Sequence, residues 1–169
     1  MYFITICTKE KKHILGEIPV GAPAHGCPVN HINHPNTRLV IHINRPNTYP
    51  DINMCCKINL SENGKIVKQY IENINDIYEH AKLNIYTIMP NHIHMIANIS
   101  TGHLWAGAPT ITIPKIINSL KTITSKKIGY PIWQRNYHEH IIRNENEYYR
   151  IAEYIQNNPY NWEKDNLYK

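Results

Sequence analysis

Hydrophobic residues follow two different spacings along this chain, and the spacings separate predicted strands from predicted helices. Stretches rich in β-branched and aromatic residues predict strands at residues 2–8, 83–88 and 92–99, with shorter strands at the start of 57–74 and within 132–143. Apolar residues recur every three or four positions in the remainder of 57–74, over 113–128, and from a predicted cap at Asn144 to Pro159. These three stretches are predicted helices.

The order of the predicted elements indicates the fold class. Strands interleave with helices around a central hairpin, which is typical of a ferredoxin-like or RRM-like α+β fold. We therefore expect an antiparallel sheet with the helices packed on one of its faces. Residues 18–56 break the pattern, because they hold six of the 11 prolines and show no sustained periodicity. The chain is read as a single domain, 1–169, with a probable loop insertion at 18–56.

Composition narrows the class of protein only slightly. The chain has 169 residues, 42% of them hydrophobic, and a formal net charge of +5. That excess of positive charge suits a polyanion such as nucleic acid, although a mildly basic protein without such a partner has the same charge. No apolar run approaches the ~18 residues of a membrane span. At the N-terminus the charges follow the apolar stretch, the reverse of a signal peptide, so we expect a soluble, cytoplasmic protein with no membrane partner.

The four cysteines do not form a recognisable metal or disulfide pattern. They are Cys7, Cys27, Cys55 and Cys56, and no two of them are spaced C-x-x-C. Reduced thiols are the expectation for a cytosolic protein. A zinc site made from Cys27 and nearby histidines is an alternative, but no second ligand pair has a standard spacing.

Two histidines and a helix tyrosine are the candidate chemistry. In NHIHMI, His92 and His94 flank one isoleucine, so a strand would point both imidazoles to the same face, where they could share one cation. The other interpretation is a pair of exposed or hydrogen-bonded histidines. Tyr154 and Asn158 lie four residues apart and would project together from the last helix. A helix tyrosine engaged in amphipathic packing is the alternative there.

Several of these motifs, in this order along the chain, resemble the motifs of one protein family. PNHIHMI and WQRNYHEHIIRNENEYYRIAEYIQNNPYNW resemble the REP-associated tyrosine transposases, which belong to the single-tyrosine HUH transposases. YFITICT, LSENGKIVKQYI and APTITIPKIINSLKTITSKKI are similar to the same family. The resemblance covers residues 1–17 and roughly 57–165. Residues 18–56 depart from it, since the family joins these strands by a short connection.

The resemblance implies an activity and a site. It implies an enzyme that cleaves and rejoins single-stranded DNA near hairpin repeats through a 5′-phosphotyrosine. Tyr154 would be the nucleophile, and His92, His94 and Asn158 would hold Mg²⁺ or Mn²⁺, with the histidine pair on a central strand of the sheet. The second pair, His138 and His140, has a charged residue between its members and is assigned a structural or DNA-contact role. The implied location is the bacterial cytoplasm, at the nucleoid when DNA is bound, and a homodimer stays open.

Basic and aromatic residues supply candidate DNA contacts. Candidates for phosphate contacts are Lys115, Lys121, Lys126, Lys127, Arg135 and Arg143. Candidates for stacking on unpaired bases are Trp105, Trp133 and Tyr137. The alternatives are a solvated helix face for the lysines and core packing for Trp133.

Three other functions fit parts of the sequence. A catalytically inactive module that binds hairpin nucleic acid would need no chemistry at Tyr154. A metal-dependent hydrolase would cleave DNA with water and leave no phosphate on the protein. A histidine-rich metal-storage protein would bind metal through residues 25–42 and would not bind DNA.

Overall fold

The computed structural model describes residues 1–19, 58–99 and 111–168. Nearly all of the predicted insertion lies outside these ranges, as do Trp105 and three of the four cysteines. Within the described part, no helix is both long enough and apolar enough to cross a membrane.

The main sheet has four antiparallel strands. Across both sheets, the described residues form six strands: β1 (Tyr2–Cys7), β2 (Gly16–Glu17), β3 (Asn59–Leu60), β4 (Ala81–Ile88), β5 (His92–Ile99) and β6 (His138–Ile141). The helices are α1 (Glu62–Glu72), α2 (Ile74–Ile77), α3 (Ile113–Ile128) and α4 (Glu145–Asn157). The main sheet has the order β4-β5-β1-β6, and β2 pairs with β3 in a separate two-stranded sheet. The predicted antiparallel α+β architecture is confirmed.

The larger of two apolar clusters lies on one face of this sheet. Strand β5 is buried on both faces from His92 to Ala97, and its side chains alternate between them. Ile93 and Met95 point to the face covered by α1 and α3, where they pack with Ile4 and Ile117. This face carries most of the hydrophobic stabilisation of the fold.

Helix α4 lies on the opposite face, which corrects the prediction that all helices share one face. Its Ile151, Ala152 and Ile155 pack against Ile96 of β5, beside Phe3 of β1. The physical reason is that both faces of β5 carry apolar side chains, so a further amphipathic helix can be buried on the second face. The placement matters for function, because His92 and His94 share this face with Ile96.

Side chains fix the starts of α1 and α4. Ser61 caps α1 by accepting a hydrogen bond from the Gly64 backbone N–H, 3.1 Å away. Asn144 caps α4 by accepting from the Glu147 N–H at 2.9 Å, and Glu147 accepts in return from the Arg143 N–H at 2.8 Å. The cap predicted at Asn144 is therefore present, and Glu147 returns a bond as in a capping box, but to the residue one position earlier than usual.

A close backbone approach at Gly64 gives the first prediction. A Cβ at Gly64 would lie 1.9 Å from the Leu15 carbonyl oxygen, which no rotamer change can relieve. We expect Gly64→Ala to lower the free energy of unfolding by about 3 kcal/mol, measured by urea denaturation. Gly129→Ala is the control, since its Cβ would meet nothing within 4 Å and the cost is only that of a φ of 96°. That cost is about 1 kcal/mol. Equal losses in the two variants would contradict the prediction.

Candidate active site

His92 and His94 lie side by side on the α4 face of β5. The strand is an inner one, between β4 and β1, and both imidazoles are buried. Their ring centroids are 4.4 Å apart. Burial lowers the pKa of His92 to about 4 and that of His94 to about 3. Both rings are therefore neutral at pH 7, the form in which an imidazole nitrogen can bind a metal.

Asn91 fixes the orientation and tautomer of His92. The Asn91 Nδ2 donates to the Leu167 carbonyl oxygen at 2.9 Å, so this end of the amide is the NH₂ group. The Asn91 Oδ1 then faces His92 Nδ1 at 2.8 Å and accepts its proton. His92 Nε2 is left with a free lone pair pointing into the site, as metal-binding histidines require.

Thr5 of β1 holds the second imidazole. Its hydroxyl oxygen is 2.8 Å from His94 Nδ1, a hydrogen bond between neighbouring strands. This contact leaves the opposite nitrogen, Nε2, directed toward α4. There it lies 3.3 Å from the hydroxyl oxygen of Tyr154.

Tyr154 and Asn158 project together from the end of α4, as their spacing predicts. The Tyr154 side chain is 45% exposed, whereas Asn158 is 1% exposed. Asn158 Nδ2 donates to the Asp165 carboxylate at 2.5 Å. The arrangement sets an accessible hydroxyl directly over a buried polar site.

Asp165 is a member of the site that the sequence interpretation missed. The chain turns back after α4, with Trp162 buried against His92 at 5.7 Å between ring centroids, and this turn returns Asp165 to the histidines. One carboxylate oxygen of Asp165 and one nitrogen from each of His92 and His94 all lie within 4.8 Å of one another. The sequence does show an acidic residue three positions after a tryptophan. Sequence spacing cannot show that the chain reverses direction there and brings this residue back to the histidines.

Hydrogen bonds keep Asp165 in its charged form. Burial alone would raise the pKa of this carboxyl group. The Leu167 backbone N–H, 2.6 Å from Oδ1, and the Asn158 amide outweigh burial and hold the pKa below its usual range. The site therefore combines one negative charge with two neutral imidazoles.

Two buried atoms show that this group fits a metal ion. His92 Nε2 and Asn158 Oδ1 are buried and have no hydrogen-bond partner among the described residues. Buried polar atoms are nearly always paired, and each unpaired one costs about 1–3 kcal/mol. Both atoms are metal ligands of ordinary type. A divalent cation would satisfy them together with the Asp165 carboxylate, so the residues could hold such an ion.

The state of the Tyr154 phenol depends on its surroundings. Burial and the nearby Asp165 carboxylate raise its pKa to about 12, and its oxygen lies 3.3 Å from Asp165 Oδ2. Without a cation the tyrosine is a neutral phenol at pH 7. A bound cation would favour the phenolate and so reverse this effect of the carboxylate.

A groove of about 440 Å³ opens beside Tyr154 on the same face. Thr5 and Phe3 of β1 line it, together with His94 of β5. The segment after Trp133 forms another part of its lining, with Tyr137 and His138. The groove therefore extends from the tyrosine toward the β6 edge of the sheet.

The predicted DNA contacts are not all near this groove. Lys115, Lys126 and Lys127 are exposed on α3, which packs on the other face of the sheet, and none of them lines the groove. Arg135 and Arg143 are exposed, and Tyr137 lines the groove.

Trp133 and Lys121 have structural partners instead. Trp133 is 8% exposed and its Nε1 donates to Thr124 Oγ1 at 2.8 Å, so its ring is packed in the core, the alternative considered for it. Lys121 Nζ donates to three backbone carbonyl oxygens, those of residues 134, 135 and 136. In this structure the polar groups of both side chains are engaged in hydrogen bonds within the protein.

The second histidine pair lies on the exposed edge strand β6. His138 lines the groove, and His140 Nε2 pairs with Glu147 at 2.7 Å. Among the described residues, neither joins a cluster of metal-binding side chains. The two pairs thus occupy different environments, one buried and one exposed.

Comparison with known proteins gives a family. No protein-family model matches the chain. An uncharacterized protein from Haemophilus influenzae is 34% identical to it, across 99% of this chain and 84% of the relative. This chain belongs to the family of that protein. The relationship spans nearly the whole chain, including all of the site residues described above.

A solved structure has a similar fold. It is a REP-associated tyrosine transposase bound to a REP hairpin, and it matches 94% of this chain with a TM-score of 0.54 and 16% identity. The chain spans 65% of the length of that protein. The likeness supports a fold of the type found in that transposase.

Proposed function

We propose that the protein is a metal-dependent enzyme that cleaves and rejoins single-stranded DNA near hairpins, through a covalent bond to Tyr154. One observation carries the proposal: the hydroxyl of the half-exposed Tyr154 lies 3.3 Å from His94 Nε2 and 3.3 Å from Asp165 Oδ2, beside a group made of two buried histidines and a partly buried aspartate. A transposase of similar fold bound to a DNA hairpin supports the same substrate class. The bacterial cytoplasm, and the nucleoid when DNA is bound, is the corresponding location.

The chain offers four ligands for the ion. His92 and His94 would supply Nε2, Asn158 would supply Oδ1 and Asp165 would supply a carboxylate oxygen. Mg²⁺ or Mn²⁺ is the ion that the resemblance implies for this set of two oxygen and two nitrogen atoms, and imidazole nitrogens also suit Zn²⁺ or Ni²⁺. A bound ion would polarise the scissile phosphate and offset the charge that develops on its oxygens. Asp165 adds a negative ligand to the three that the sequence suggests.

Tyr154 performs the covalent step. Its oxygen attacks phosphorus, the tyrosine–phosphate bond forms, and the bond from phosphorus to the 3′ oxygen breaks. The phenol loses its proton and the departing oxygen gains one, leaving a 5′-phosphotyrosine and a free 3′-OH. Because the phosphodiester bond energy is retained, another 3′-OH can reverse the step without ATP.

The groove and its exposed basic neighbours are the proposed DNA-binding surface. Arg135 and Arg143 would contact phosphates, while Tyr137 offers a ring to an unpaired base. Lys115, Lys126 and Lys127 would serve only a hairpin stem long enough to reach the other face of the sheet. A homodimer is compatible with this arrangement and is not required by it.

A denaturing gel tests the proposal. Purified protein is mixed with a single strand that is labelled at its 3′ end and carries a hairpin from DNA flanking its own gene, plus Mn²⁺ or Mg²⁺. The 3′ label is needed because a 5′-phosphotyrosine joins the protein to the fragment that keeps the 3′ end of the strand. Label should migrate with the protein and should disappear from that position when chelator is added. Cleavage without a protein-bound label would favour the hydrolase, and binding with neither product would favour the inactive hairpin-binding module.

Asn91 gives a prediction about the metal that does not depend on DNA. Asn91→Leu removes the acceptor that orients His92 and leaves the Leu167 carbonyl oxygen without its donor. We expect the dissociation constant for Mn²⁺ to rise about 10–100-fold, measured by calorimetry on the purified protein. Asn63→Ala is the control, since its amide bonds Tyr130 and lies on α1, across the sheet. Unchanged Mn²⁺ affinity in Asn91→Leu would rule out a positioning role for this amide.

A further inference from the structure

The loop at residues 134–136 is held unusually firmly for a segment without regular structure. Lys121 Nζ donates to its three consecutive carbonyl oxygens at 3.1, 3.3 and 3.1 Å. The Gln134 N–H donates to the Cys7 carbonyl oxygen at 3.0 Å, which ties the loop to the end of β1. The same ammonium group lies 5.4 Å from the centroid of the Tyr137 ring. The backbone of this loop is therefore fixed relative to the sheet.

The loop presents unpaired amides to the groove. Gln134 and Asn136 both line it. Within residues 1–19, 58–99 and 111–168, neither side-chain amide has a hydrogen-bond partner. Each amide carries a donor and an acceptor, the combination that reads the edge of a nucleobase. The backbone is immobilised while the two amides remain available to a ligand.

The rest of the groove suits an unpaired nucleotide. Phe3 and Tyr137 supply aromatic surface, and base–aromatic stacking is a general mode of binding single strands. None of the residues lining the groove carries a carboxylate, although the carboxylates of Glu139 and Asp165 contact the hydroxyl groups of Tyr137 and Tyr154 at its border. Unpaired bases are also the ones whose hydrogen-bonding edges side chains can reach.

Position links this groove to the reaction. Tyr154 forms part of its lining, so a base held there belongs to a nucleotide next to the phosphate that Tyr154 would attack. We propose that the groove binds one unpaired nucleotide beside the cleaved bond, and that Gln134 and Asn136 select its base. The inference rests on the proposed function and adds the residues that would determine which sequence is cut.

Equilibrium binding tests the inference apart from cleavage. A fluorescent DNA hairpin with unpaired flanks is made with each of the four bases at each flanking position. Dissociation constants are measured by anisotropy without divalent ions, so that no bond is broken. The native protein should prefer one base at one position by roughly tenfold, the discrimination expected from a good amide–base pair. The Gln134→Ala, Asn136→Ala double variant should reduce that preference to about twofold or less.

Control variants distinguish a loss of base selection from damage to the fold. Asn118→Ala removes an exposed amide from α3 and should keep the full preference. Gln134→Glu, Asn136→Asp keeps the shape of both side chains but removes their donors, and should change which base is preferred or abolish the preference. The double alanine variant should also keep the Mn²⁺ affinity of the native protein, because it leaves the ligands in place.

The binding experiment can contradict the inference about base selection independently of the cleavage assay. A native protein without base preference at any flanking position would overturn the inference, and so would a preference that survives the double variant. A uniform loss of affinity for all four bases would assign the amides to general contact and also overturn it. Base selection that depends on the two amides, in a protein that forms no adduct, would retain the inference and reject the proposed chemistry.

Discussion

Tyr154→Phe should abolish the covalent protein–DNA adduct, with a loss of at least about 10³-fold in the rate of its formation. The substitution removes only the hydroxyl oxygen that lies 3.3 Å from both His94 Nε2 and Asp165 Oδ2. The ring keeps its contact with Phe3, so the fold and the hairpin affinity should be unchanged. The measurement is adduct formation over time on a denaturing gel, with hairpin binding followed separately by anisotropy.

Tyr149→Phe is the matched control for this variant. Tyr149 is an exposed tyrosine on the same helix and lies outside the site, so its loss should leave adduct formation within about twofold of the native rate. Label that stays on the protein in Tyr154→Phe would mean that a different side chain is the nucleophile. Continued cleavage without label on the protein would assign the attack to water.

The second large effect concerns the metal ligands. We expect Mn²⁺ at one hundred times its dissociation constant to raise the free energy of unfolding of the native protein by about 2.7 kcal/mol. His92→Leu should gain nothing from Mn²⁺, because it removes a ligand atom that is otherwise buried and unpaired. The measurement is urea denaturation with and without Mn²⁺.

Asp165→Asn tests the contribution of the negative charge to metal binding, because it changes the shape of the side chain very little. Loss of the negative ligand should weaken Mn²⁺ binding by about tenfold or more, while the variant still folds without metal. Glu163→Gln is its control, since Glu163 is exposed on the same turn and is not part of the group. Native Mn²⁺ affinity in Asp165→Asn would restrict the ligand set to the two histidines and Asn158.

The sequence predicts elements that depend on local spacing. The β4–β5 hairpin, helix α3 over 113–128 and the cap at Asn144 all follow from patterns within a few residues. His92 and His94 share a face for the same reason, because alternation along a strand is set by the backbone. These features need no knowledge of what packs against them.

Features that depend on distant contacts were not predictable in this way. The pattern of α4 shows that one side is buried but does not say which face of the sheet it covers. Asp165 reaches the histidines only because the chain reverses and Trp162 is buried beside His92. The hydrogen bonds of Lys121 also depend on distant contacts, because its three carbonyl partners lie 13–15 residues further along the chain.

The unpaired His92 Nε2 and Asn158 Oδ1 could serve as metal ligands, but they lower the stability of the metal-free fold. A metal-free protein with two desolvated, unbonded polar atoms forgoes free energy that apolar side chains of similar volume would supply. Apolar replacements of this pair, made jointly and with compensating changes nearby, could therefore strengthen the fold while they end metal binding. In a lineage that had ceased to use the site, mutational drift would be expected to erode this cluster before the surrounding core.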